Sequence, residues 1–161
     1  MEQLITDSIT ILKEGDNFNT AHGWMCMADY LCPKQRSNIP LKADEVELIG
    51  ELATMLKRVK LEDDIILYKG LTQEFDPMIA EKSSFNTLSA NLYAALHYGS
   101  YIIKVIVPKG SNALYISAWQ QGRADVVARE GEELAMALLP GKFTLDEEAQ
   151  GLCRTYLYTQ F

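Results

Sequence analysis

The sequence predicts one α+β domain, helical in its first part and rich in strands in its second. Three observations lead there. Apolar residues recur at helical spacing up to about Asp64, and β-branched or aromatic runs bounded by Gly and Pro follow it. The 161 residues, 48% of them hydrophobic, suffice to cover a single core. The expected division is a helical part over 1–64 and a β-rich part over 65–161.

A formal net charge of -7 argues against a binder that tracks nucleic-acid phosphates, and favours a basic protein partner instead. No signal sequence stands at Met1 and no apolar run approaches membrane-spanning length, so a soluble, cytoplasmic protein is expected. Cys26, Cys32 and Cys153 lack the spacing of a zinc site or a disulfide framework and are expected as reduced core thiols. His22 and His97 have no carboxylate or cysteine at metal-ligand spacing, so no metal is expected; His97 is assigned to packing or hydrogen bonding.

Ile5, Ile9 and Leu12 mark an amphipathic helix over Glu2 to Lys13, ended by Gly15-Asp16-Asn17. A second helix is expected from about Thr20 to Leu31, stopped by Cys32-Pro33, with an exposed loop from Pro33 to Pro40. In the third, Asp44 caps the start, Glu47 completes a capping box, and Ile49, Leu52, Leu56 and Val59 form the buried stripe. Glu62-Asp63-Asp64 breaks the pattern, and Ile65 to Tyr68 begins a strand finishing at Lys69-Gly70-Leu71.

Thr72 to Lys82 is expected as a loop with one helical turn. Phe85 to Ser89 is a strand whose hydroxyls, Thr87 and Ser89, fall at period two and therefore on one face. A short helix from Asn91 to Tyr98 closes at Gly99, and the apolar run Tyr101 to Val107 is a central strand turned by Pro108-Lys109-Gly110. Ala113 to Ser117 is a short β-rich run, and the polar stretch from Ala118 to Arg129 is a loop carrying Trp119. In Arg129-Glu130-Gly131-Glu132-Glu133 an extended backbone puts Glu130 and Glu132 on one face. Leu134 to Leu139, Pro140-Gly141 and Phe143 to Leu145 suit a hairpin, and Cys153 to Phe161 a last strand.

Three stretches together resemble the mono-ADP-ribosyltransferases, arginine-directed type, known from bacterial toxins and tailed-phage enzymes. Tyr68-Lys69-Gly70 is similar to the family's aromatic-Arg-Gly. Phe85 with Thr87-Leu88-Ser89, then Ala95 to Tyr98 and Ile102 to Gly110, resembles the Ser-Thr-Ser strand, its helix and the following strand. Glu130-Gly131-Glu132, before Leu139-Pro140, resembles Glu-x-Glu and its hairpin, with about two extra residues before Phe143. A gapless alignment on Pro140 would put Met136 at the catalytic position; a gap is preferred because a thioether cannot do this chemistry. The resemblance spans Ile65 to Leu145 and implies N-terminal helices packed on two small, mostly antiparallel β-sheets that form an NAD-binding cleft.

Breaking the nicotinamide-ribose bond leaves an oxocarbenium-like centre, which a nearby carboxylate stabilises. By resemblance, Glu132 would be that catalytic group, Thr87 would hold it or the ribose, and Glu130 would orient an arginine nucleophile. Lys69, Gly70, Phe85, Thr87 and Ser89 would bind NAD, and Trp119 with Glu130 would meet the target protein, in the producing or a host cell. Lys69 departs from the family's arginine, and a flexible point charge does not replace a planar fork. Three explanations stay open: a working lysine variant, an inactivating substitution, and a scaffold that binds a protein without catalysis. NAD glycohydrolase activity is a further alternative.

Overall fold

The computed structural model of the chain describes residues 2–14, 27–116 and 135–161. Helix α1 (Glu2–Glu14) buries Leu4, Ile11 and Leu12, with Ile5 and Ile9 at the margin of the core. Its one buried polar side chain described is Ser8, whose Oγ accepts the Tyr115 N–H at 3.0 Å. A π-helical turn, Met27–Leu31, runs directly into α2 (Cys32–Arg36), so the expected stop at Cys32-Pro33 is corrected. Proline in the first turn of a helix gives up only an N–H that has no helical partner, and the chain continues helically to Arg36. The loop expected from Pro33 therefore begins only after Arg36.

Helix α3 (Ala43–Leu56) starts one residue before the predicted cap. Its N-cap is Lys42, whose N–H donates to Glu45 Oε1 at 2.9 Å; Glu45, rather than Glu47, lies three residues beyond the true cap. Leu52 and Leu56 are buried as expected, and Val59 follows them into the core from beyond the helix end.

The remaining elements follow the predicted order. They are β1 (Ile65–Leu71), a single-turn α4 (Pro77–Ala80), β2 (Asn86–Ser89), α5 (Leu92–Leu96), β3 (Tyr101–Val107), β4 (Ala113–Tyr115), β5 (Ala135–Leu138), β6 (Gly141–Leu145) and β7 (Arg154–Gln160). The strands form one sheet ordered β4-β5-β2-β1-β3-β7-β6, antiparallel throughout except for β3 with β7.

The two small sheets expected from the motifs are two wings of this sheet. Strands β1 and β3 pair over their full seven-residue length, whereas β1 meets β2 at the single pair Tyr68↔Ser89. Among the described residues, the backbone ladders of the wing β4-β5-β2 and of the wing β1-β3-β7-β6 meet only at that pair. Chain connectivity shows that the wings fold over each other. Strands β5 and β6 are second and seventh in the order, five steps apart, or roughly 24 Å across a flat sheet. Only Leu139 and Pro140 connect them, a reach of about 11 Å. The expected hairpin at Leu139-Pro140 is thus a crossing between wings: β5 pairs with β2 and β4, β6 with β7.

The core lies inside this fold, around Leu67, Val105, Val107, Leu114, Met136, Leu138, Phe143, Tyr156 and Tyr158. Phe75 anchors the loop after β1 by edge-on contacts with Phe143 and Tyr156, at 5.5 and 4.9 Å between centroids.

A candidate active site at the junction of two sheet wings

Lys69 sits near the end of β1, on the edge facing β2, where the ladder between the two strands has given out. Its Nζ donates to the Thr87 carbonyl at 2.8 Å, so a side-chain bond ties the strands where backbone pairing does not. Part of its surface remains accessible. Burial pushes its ammonium down to about 8, and the positive charge of Arg36 pushes the same way, against a smaller opposing effect of Cys32.

Gly70, the next residue, permits a close approach. A Cβ there would lie 1.8 Å from the Ala95 carbonyl oxygen, so α5 can seat on β1 only because this residue is glycine. Asn91 caps α5 by accepting the Tyr93 N–H at 3.0 Å, and Ala94 and Ala95 are its buried residues. The composition of Lys69-Gly70 and Ala94-Ala95 is thus one packing solution written in two places.

On β2, Thr87 is half-buried and Ser89 is buried. The Ser89 hydroxyl accepts the Asn91 N–H at 3.0 Å and lies 3.1 Å from the Asn91 carbonyl, which takes its proton; it holds the start of α5. The Phe85 ring is buried in the core, and its carbonyl accepts the Cys32 thiol proton at 3.5 Å. Burial pushes that thiol up, more strongly than the Phe85 carbonyl, Arg36 and Lys69 pull it down. His97 is exposed at the end of α5 rather than packed. Met136 is fully buried opposite Leu88, on the face of β5 that alternates with the face of Ala135 and Ala137.

No family model matches the sequence, and no curated protein matches it. Solved structures do match. BECa, an ADP-ribosylating toxin of a C. perfringens binary enterotoxin solved with NADH, superposes with a TM-score of 0.60 at 16% identity, over 93% of this chain and 45% of that one. The Clostridium limosum C3 exoenzyme gives 0.59 at 14% identity, over 88% and 85%. Exoenzyme S from Pseudomonas aeruginosa, solved with human 14-3-3 protein beta and Carba-NAD, gives 0.57 at 14% identity, over 86% and 70%. The chain has the ADP-ribosyltransferase fold.

Within this ADP-ribosyltransferase fold, Lys69, Gly70 and Thr87 come together at the wing junction, with Phe85 and Ser89 framing β2. Glu130, Glu132 and Trp119 lie outside the described residues. The expected helix stop at Cys32-Pro33 leaves Arg36 in a loop, and so hides it as a residue of the site. Its guanidinium acts on Lys69 from α2 and donates through Nη1 to Ser83 Oγ at 3.4 Å. Among the described residues, the ionisable side chains that shift Lys69 are Arg36 and Cys32, and no carboxylate is among them. A pair of cations that repel each other in a partly desolvated site fits an anion of two or more charges, such as a diphosphate. The signal in the sequence was the basic spacing of Lys34 and Arg36 after a proline at a helix start.

Proposed function

We propose that the chain is a mono-ADP-ribosyltransferase that moves ADP-ribose from NAD to a protein side chain, arginine in the first place. The observation that supports it is the meeting of Lys69 and Thr87 at the wing junction, with the Arg36 charge acting on Lys69, in a fold shared with toxins solved with NADH and with Carba-NAD. Lys69 and Arg36 would hold the diphosphate, and Thr87 the nicotinamide ribose or the catalytic carboxylate. Glu132 would pair with the ribose 2'-hydroxyl and stabilise positive charge at C1' as nicotinamide leaves with its bonding electrons. Glu130 would orient the arginine, whose nitrogen forms the new bond to C1' and loses a proton. Trp119 would meet the target; a protein partner is the kind seen with Exoenzyme S.

Incubation with labelled NAD and candidate host proteins should give labelled protein, and Glu132→Gln should abolish the label. Undiminished labelling by that variant would falsify the assignment of Glu132.

A second reading is a protein-binding module without catalysis. The bond from the Lys69 ammonium to the Thr87 carbonyl favours it, because it holds the side chain against β2 in a structural contact and leaves only two of the three ammonium protons for a phosphate. Calorimetry separates the two: heat with millimolar NAD supports the transferase. Silence in both the wild type and Lys69→Arg supports the module.

A further inference from the structure

We infer that Gln35 is a positioning residue: it latches α2 to the segment leading into β2, and so sets the separation of Arg36 and Lys69 for one diphosphate. The inference rests on the transferase reading. Gln35 uses both ends of its amide on one residue 49 positions away. Its Nε2 donates to Ser84 Oγ at 2.6 Å, and its Oε1 accepts the Ser84 N–H at 2.8 Å. On the same face of α2, Cys32 reaches the Phe85 carbonyl and Arg36 reaches Ser83, so positions 32, 35 and 36 bind three successive residues.

That segment runs straight into β2, where the Thr87 carbonyl receives Lys69. The two cations are therefore joined by one short, continuous path: α2, residues 83–85, Thr87, Lys69. Helix α2 has five residues and follows a π-helical turn, and a helix that short has little stability of its own. The Arg36–Ser83 bond is long at 3.4 Å, and Arg36 and Lys69 repel. Of the polar contacts from α2 to this segment, the reciprocal Gln35–Ser84 pair is the shortest. Lys34 on the same helix turns to Glu45 at 3.0 Å and takes no part in the latch.

The test compares the wild type, Gln35→Leu, Ser84→Ala, the double variant and Lys34→Ala. It measures affinity for inorganic pyrophosphate, KM and kcat for nicotinamide release from NAD, and thermal unfolding as a check on folding. Gln35→Leu loses two hydrogen bonds and should weaken pyrophosphate binding and raise KM roughly tenfold, with kcat unchanged. Ser84→Ala loses one and should shift both about threefold, the double variant should match Gln35→Leu, and Lys34→Ala should shift neither. Unchanged pyrophosphate affinity in folded Gln35→Leu or Ser84→Ala, or a fall in kcat at constant KM, overturns the latch. A wild type that binds pyrophosphate but not NAD overturns the transferase reading, while the variants still test the latch on pyrophosphate. A wild type that binds neither overturns both.

Discussion

Lysine at position 69 brings a property that arginine lacks, a charge that can be lost near neutral pH. With its ammonium at about 8, the charged fraction in the free protein falls from about nine-tenths at pH 7 to about one-tenth at pH 9. If a diphosphate pairs with the charged form, NAD affinity should weaken by roughly tenfold across that range. Lys69→Arg should bind with no such slope, and calorimetry at several pH values checks both. The sign for stability is opposite. An unfolded lysine keeps its proton to about pH 10.4, so between about 8 and 10 the native protein binds fewer protons and gains stability as pH rises. Below 8 the cost of the buried charge is present in full. Alkaline conditions should therefore firm the fold while loosening the ligand, a combination that separates Lys69 from any general alkaline damage.

Helix α5 meets β1 through small residues and backbone groups rather than through large side chains. Gly70 is the clearest case, since the seat of α5 on β1 is a backbone carbonyl against the missing Cβ. Gly70→Ala should destabilise the protein by about 3 kcal/mol or more in urea denaturation, because a backbone oxygen cannot step aside as a side chain can. It should also weaken NAD binding, since Lys69 is the adjacent residue. Periodicity made α1, β3, β7 and the short helix after Asn91 legible, because each depends on its own residues. It misplaced the start of α3 by favouring Asp44 over Lys42, since Glu45 can serve a backbone N–H from inside the helix. It also ended the second helix early, and so hid Arg36 and Gln35.

At the scale of the molecule, the short crossing from β5 to β6 holds the two wings over each other. Tyr158 secures it: its hydroxyl donates to the Leu139 carbonyl at 2.7 Å, and burial holds that proton far above the ordinary phenol range. Tyr158→Phe leaves a buried carbonyl unpaired and should cost about 1–2 kcal/mol in equilibrium unfolding. NAD affinity should change little, because the Tyr158 hydroxyl bonds Leu139 and not Lys69 or Thr87. The aromatic cluster of Phe75, Phe143, Tyr156 and Tyr158 keeps the packing of that wing intact in the variant.

By itself the sequence determined the α+β class, the order of the strands along the chain, and the candidates Lys69, Gly70 and Thr87, because period, turn residues and motif order are local properties. Tertiary structure decided that the strands share one sheet folded at Tyr68↔Ser89, and that Leu139-Pro140 crosses between wings instead of turning a hairpin. It also brought Arg36 to Ser83 and Gln35 to Ser84, across separations of 47 and 49 positions. Such pairings follow from which elements pack against each other, and no periodicity within either partner encodes them.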